Sequence, residues 1–285
     1  MIPSTTTPNL QAQPPGRWFR LQISRTAARL GSVGGVVEER GGGEGDEELL
    51  QGQVNYYRAR APEYDDWWER RGAFDFGPEF RAAWDRDVSQ LRQALVDFGP
   101  GTDVVELAAG TGNWTRELLR LGAAVTAVDA SPETLAINQA KNGALGPLTL
   151  EVADLFAYQP SRPFPAACFC FWISHVPPAR TAGFWSLVDR CLSPGGRVFL
   201  IDNAHPDYAT PRGPAGWRAR MEAIDNTTAP PSVITERELS DGRRFDVVKR
   251  YWHPPELEAE LAPLGWRATA ANTDFAFLYA TVERA

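Results

Sequence analysis

Cysteine, histidine and methionine are all scarce in this 285-residue chain, at three, three and two residues. The cysteines form no C-x-x-C pair: Cys168 and Cys170 alternate within an apolar run, and Cys191 falls in a helical stretch. Neither a disulfide framework nor a zinc site is supported, so no metal is expected. No apolar run approaches the roughly 18 residues that cross a bilayer. Long basic runs are missing too, and the net charge is −7. A chain that neutralises phosphates would carry a different balance, so nucleic acid is not an expected partner. Together these absences predict a soluble, cytoplasmic protein with no membrane or nucleic-acid partner, as a monomer or homodimer. Tryptophan is plentiful by contrast, with ten. Trp67, Trp68, Trp84, Trp217 and Trp252 fall outside the apparent core strands, where they either line an aromatic cavity or pack helices onto a sheet.

Residues 1–51 do not read as part of the fold. Prolines and threonines open them, Arg17, Arg20, Arg25 and Arg29 precede the first acid at Glu38, and GGGEGDEE follows at 41–48. A disordered leader is the expectation there, with one domain over 52–285. Its first part, 52–98, reads as a helical cover. QVNYYRARAPEYDDWWERRG breaks at Pro62, and Phe80, Trp84, Val88, Leu91, Leu95 and Phe98 form one stripe of a longer helix.

Strands and helices then alternate. Apolar segments at 102–107, 123–131, 148–155, 166–174 and 197–204 are separated by helical stretches, which requires a parallel sheet with right-handed crossovers. An insertion at 204–230 falls on the ligand side of such a sheet. A hairpin turning at Asp241-Gly242, a helix at 254–265 and two closely spaced strands complete the chain. The fold class is therefore α/β: a doubly wound, mostly parallel seven-stranded sheet with an antiparallel C-terminal edge strand.

The chemistry concentrates in Val104–Leu119, VVELAAGTGNWTRELL, which reads as strand, glycine turn and helix N-terminus. Asp129 ends the second strand 129 − 110 = 19 residues after Gly110, a spacing at which a carboxylate reaches a ribose diol. Asp154 ends the third strand. This pattern serves a dinucleotide or S-adenosylmethionine. The missing third glycine, where Trp114 and Thr115 stand, and Glu106 before the loop favour the second. With ELAAGTGNW, VDAS, ADL, FWISHVP and LSPGGRVFLID in order, residues 52–283 resemble class I S-adenosylmethionine-dependent methyltransferases. The likeness is greatest to actinobacterial-type small-molecule enzymes with a YYRARAPEYD-like first helix.

That resemblance implies S-adenosylmethionine as cofactor and assigns residues to it. Gly110 and Gly112 lie under the methionine moiety, with Glu106 ordering the loop. Asp129, with Ala130 beside it, holds the ribose. Asp154 and the Leu155 backbone fix the adenine, Phe171 or Trp172 meets the sulfonium region, and Tyr57 closes over the methionine end. Ala108 replaces the first glycine of the family's motif, and its methyl fits if the residue keeps a negative φ. The activity implied is in-line methyl transfer to the O or N of a small molecule, with little positive charge and aromatic lining pointing to a partly apolar acceptor. His175, at the tip of the fourth strand, is the candidate base, unless it only hydrogen-bonds the loop before Pro177-Pro178. His205 and Tyr208 are weaker candidates, and His253 looks structural. A cofactor-binding scaffold without turnover and a nicotinamide-dependent oxidoreductase are the alternative readings.

Overall fold

The computed structural model describes residues 44–217, 219–220 and 233–285. The rest of the expected leader, residues 1–43, and residues 218 and 221–232 of the expected insertion lie outside the described residues. Five β-branched and apolar segments pair in parallel: β1 (Asp103–Leu107), β2 (Ala124–Asp129), β3 (Leu148–Val152), β4 (Phe164–Cys170) and β5 (Leu192–Asn203). The hairpin β6 (Ile234–Glu238) and β7 (Arg244–Val248) stands as a separate two-stranded sheet. β8 (Trp266–Asn272) and β9 (Phe277–Arg284) complete the main sheet in the order β3-β2-β1-β4-β5-β9-β8.

The antiparallel C-terminal strand does not take the edge, a correction to the expected arrangement. β9 runs antiparallel between β5 and β8, and β8 forms the edge. Burial explains the choice: Phe277, Leu278, Ala280 and Val282 of β9 are at most 1% exposed, whereas β8 keeps a partly solvated face. One core forms on each face of the sheet. Helices α3 (Pro78–Phe98), α4 (Asn113–Arg120) and α5 (Pro132–Asn142) bury Leu91, Leu95, Leu118 and Leu135 on one side. On the other, α6 (Thr181–Cys191) and the helix Pro254–Leu261 bury Phe184, Trp185, Leu257 and Leu261. Asp87 of α3 ties that helix to the β8–β9 turn, where its Oδ2 accepts from the Thr273 hydroxyl at 2.7 Å and the Ala276 N–H at 2.6 Å.

The cover starts earlier than expected. Helix α1 runs Glu44–Arg60, so the boundary at residue 52 cuts through it. The glycine-and-acid tract belongs to the expected leader, yet Glu47 and Glu48 lie near the start of this helix, where acids favour the helix dipole. Pro62 breaks the helix as expected, and α2 (Tyr64–Trp68) follows. Gln53 locks α1 in place: its amide donates to the His175 carbonyl and accepts from the Val248 N–H, both at 3.1 Å. The α1 helix thereby joins the β6–β7 hairpin to the tip of β4.

Candidate active site

Between β1 and α4 the chain makes three left-handed residues, Ala108 at φ 53°, Gly110 at 54° and Gly112 at 81°. Ala108 does not keep the negative φ on which the fit of its methyl was conditional. The loop needs the left-handed conformation at this position, and Ala108 adopts it against the clash of its own Cβ with the backbone. Ala108→Gly is therefore expected to stabilise the fold by about 1 kcal/mol in denaturant titrations. The two glycines serve different ends. A Cβ on Gly110 would meet nothing within 4 Å, so this residue faces open space. A Cβ on Gly112 would lie 2.2 Å from Asn138 Oδ1, so its bareness lets α4 and α5 pack.

Asp129 gathers the loop. Its Oδ2 accepts from the Gly110 N–H at 2.8 Å; its Oδ1 accepts from the Ser131 N–H at 2.8 Å and the Thr134 hydroxyl at 3.2 Å. Burial nevertheless raises its pKa. Asp65 of α2 clamps the same loop from outside, accepting from Thr111 Oγ1 at 2.6 Å and pairing with Lys141 Nζ at 2.7 Å. Behind it, Glu106 is 2% exposed and accepts from the Thr115 hydroxyl at 2.5 Å. Burial, reinforced by the charge of Asp129, pushes its pKa up to about 8.

Two cavities open beside this loop. The first, of about 110 Å³, lies past the carboxyl ends of β1, β2 and β4. It collects nine of the eleven residues expected around the cofactor: Tyr57, Ala108, Gly110, Asp129, Ala130, Asp154, Leu155, Phe171 and Trp172. Glu106 and Gly112 do not reach it, and line a small adjoining cleft of about 30 Å³ instead. Sequence reasoning missed Thr134 and the α1 residues Leu50, Gln53 and Val54, which roof the cavity. The i, i+3, i+4 spacing of Leu50, Gln53 and Val54 was available as a signal, but the expected boundary separated Leu50 from its helix.

The second cavity, of about 100 Å³, shares Tyr57, Tyr64 and Phe171 with the first. Phe171 sits at φ 57° and packs edge-on against Trp67 and Trp68. Trp67, Trp84 and Trp217 line this cavity, whereas Trp252 is buried in the core under β5 and β9. Low positive charge is not what the lining shows. Arg60, Arg70, Arg237 and Lys249 all face the cavity. Each stands among acids in the sequence, so the concentration arises only when α1, α2 and the hairpin converge.

His175 lies at their junction, 6% exposed. Its Nδ1 is 2.6 Å from the Val248 carbonyl, which can only accept, so Nδ1 carries the proton. Nε2 then accepts from the Tyr57 hydroxyl at 2.8 Å. Burial, and next the charge of Lys249, hold the His175 pKa well below the usual value, which leaves a neutral ring of low basicity. Neither weaker candidate is free to act: Tyr208 donates to the Thr273 carbonyl at 2.8 Å, and His205 Nδ1 accepts from the Asp207 N–H at 3.2 Å. His205 also stacks on His253, with Asp207 alongside. One possible ligand atom from each of the three lies within 4.8 Å of the others, a grouping the sequence did not announce.

A family model described as a methyltransferase domain matches residues 104–196. The protein DhpI, solved as a complex with SAH, is 33% identical over 84% of this chain and 98% of its own, with a TM-score of 0.63. A second structure, with SAM and HEP, is 35% identical over 82% and 97%. A demethylmenaquinone methyltransferase of Tropheryma whipplei is 33% identical over 106 residues, 37% of this chain, and the chain spans only 44% of that relative's length. The corresponding protein of Streptomyces avermitilis is 28% identical over 66% of this chain and 76% of its own. No helix among the described residues is long and apolar enough to cross a membrane. Sheet order, glycine loop and strand-end acids agree with these matches: the chain belongs to the class I S-adenosylmethionine-dependent methyltransferases.

Proposed function

We propose that the chain transfers the methyl group of S-adenosylmethionine to a small molecule held in the second cavity. The observation that carries this is the shared wall: Tyr57, Tyr64 and Phe171 border both cavities, so a donor in one and an acceptor in the other meet there. The donor's chemistry fits the first cavity. A carboxylate at the end of β2, a second at Asp154 beyond β3 and the open face at Gly110 suit a ribose, an adenine and a methionine chain in turn. When bound, the donor supplies an electrophilic methyl on a good leaving group, so positioning and water exclusion carry most of the catalysis.

The chain's own residues do that work. Asp129 orders the loop and offers a carboxylate to the ribose hydroxyls. Helices α1 and α2 close the site, with Asp65 fixing α2 to the loop and Arg58 pairing with Glu133 of α5 at 2.8 Å across the mouth. His175, placed where a base would stand, is held in a tautomer whose Nε2 accepts a hydrogen bond from the Tyr57 hydroxyl. We assign it to orienting Tyr57 rather than to proton abstraction. Calorimetry tests the reading: S-adenosylmethionine should bind saturably at one site per chain and a nicotinamide dinucleotide should not. Binding of the dinucleotide instead would sink it, and donor binding without label transfer to any small molecule of a cell extract would mark a scaffold.

A further inference from the structure

Behind the glycine loop one chain of hydrogen bonds runs through four buried polar side chains. Thr115 of α4 and Asn138 and Asn142 of α5 are fully buried, and Glu106 ends the chain near the tip of β1. Asn142 Nδ2 donates to the Gly112 carbonyl at 2.8 Å and to Asn138 Oδ1 at 2.9 Å. Asn138 Nδ2 donates to Thr115 Oγ1 at 2.8 Å, and the Thr115 hydroxyl donates to Glu106 Oε2 at 2.5 Å. Arg116 Nε, 3.3 Å from Asn142 Oδ1, stands at the far end.

One backbone carbonyl fixes the direction of the whole chain. The Gly112 oxygen can only accept, so the Asn142 amide must turn its nitrogen toward it. The second hydrogen of that nitrogen falls on Asn138 Oδ1, which leaves Asn138 Nδ2 to face Thr115. Thr115, receiving a hydrogen there, sends its own single hydrogen to Glu106. No member can reverse without setting donor against donor in a dry interior, which is costly. Glu106 therefore always meets a donor, an arrangement that favours its carboxylate over its neutral acid. Other groups face Glu106 from the elements around it. Asp129 of β2 opposes its ionisation as a like charge. Cys170 of β4 and Tyr64 of α2 share its cleft, and burial keeps both protonated at neutral pH. Asp65 and Lys141 pair with each other on the outer side of the loop.

Resting on the reading that the donor occupies the first cavity, we propose that Thr115 and Asn138 are positioning residues for donor binding. Together they hold a hydroxyl hydrogen on Glu106, so that its carboxylate is already supported when the donor's positive charge arrives beside the glycine loop. Neither lines the first cavity or the cleft, so both act through Glu106. With the hydrogen bond in place, Glu106 releases its proton to solvent in less alkaline solution than it would without it. Donor affinity follows that proton, and the two helices behind the loop set the pH at which it does.

The test follows the affinity of the full chain for S-adenosylmethionine by calorimetry across the pH range, where the wild type should rise with pH and level off. Thr115→Val keeps the shape and removes the hydroxyl. It should move the midpoint of the rise upward by at least about one pH unit, so that a deficit seen near neutral pH shrinks in alkaline solution. Asn138→Ala, on the other helix, should move the midpoint in the same direction. Thr115→Ser, which restores the hydroxyl, should return it to within about half a unit of wild type. In a Glu106→Gln background Thr115→Val should leave the shape of the profile unchanged. A role in packing alone would lower affinity by the same factor at every pH. That result in either Thr115→Val or Asn138→Ala, whichever folds, would overturn the inference. So would a flat wild-type profile, or a midpoint shift that persists without the Glu106 carboxylate. Failure of the wild-type chain to bind S-adenosylmethionine at any pH would instead remove the reading of the first cavity on which the inference rests.

Discussion

Asp129→Ala is expected to weaken S-adenosylmethionine binding between tenfold and about a hundredfold. The carboxylate has two employments. In the structure it accepts from Gly110, Ser131 and Thr134, which fixes the glycine loop to the tip of β2. On the proposed reading it would also offer lone pairs to the ribose diol. A hydrogen bond to a charged group contributes about 1.5–3 kcal/mol, and 1.4 kcal/mol is a factor of ten in affinity. Losing the ribose contacts alone therefore accounts for the lower bound, and a loosened loop carries the loss further. Calorimetry on the folded variant, with its stability checked by denaturant, reads the effect. Wild-type affinity in a folded Asp129→Ala protein would restrict this carboxylate to the loop and leave the ribose to other groups.

How much of this was legible beforehand divides along a physical line. Strand and helix order, and the strand-end acids, follow from local alternation, and local patterns survive in a sequence. Of the nine residues expected around the cofactor that line the first cavity, eight follow the ends of parallel strands, where this topology puts its ligands, and Tyr57 comes from α1. Glu106 and Gly112 line the small adjoining cleft instead. The last residues of β1 point into the sheet's own packing, and Gly112 is bare for Asn138 and Asn142. The dihedral of Ala108 could not be read, since alanine carries no preference for the left-handed region that its loop demands.

The gathering of basic residues around the second cavity was the larger omission, and its cause is distance along the chain. Arg60 stands in RARAPEYD, Arg237 in ITERELS and Lys249 in DVVKRYW, where neighbouring acids mask each charge. Arg60 and Arg237 are 237 − 60 = 177 residues apart. They come together because the hairpin folds onto α1, with Tyr56 against Phe245 at 5.7 Å and Gln53 bonded to Val248. Neither contact has a short-range signature. Net charge, at −7, spoke against a nucleic-acid partner yet said nothing about a pocket.

Glu106 carries the largest pH effect. Its folded pKa of about 8 lies above the 4.5 of an unperturbed glutamate, because burial disfavours the carboxylate. The sign follows directly. The folded chain holds this proton more tightly than the unfolded chain, so the contribution to stability is full below about pH 4.5. It declines as pH rises and levels off above about 8. At about 1.4 kcal/mol per pH unit the whole decline is on the order of 3–5 kcal/mol. Glu106→Gln keeps an oxygen for Thr115 and removes the charge, so it should match wild type near pH 5 and exceed it in stability near pH 9. The donor reverses the trend. On the proposed reading S-adenosylmethionine would bring positive charge to the loop that Glu106 backs, which favours the ionised carboxylate. Wild-type donor affinity should then rise up to tenfold per pH unit between about 6 and 8, with proton release that calorimetry in buffers of different ionisation enthalpy detects. The Gln variant should show a flatter profile and less proton release. Equal proton release from both proteins would place the titrating group elsewhere and leave Glu106 a neutral partner of Thr115 throughout.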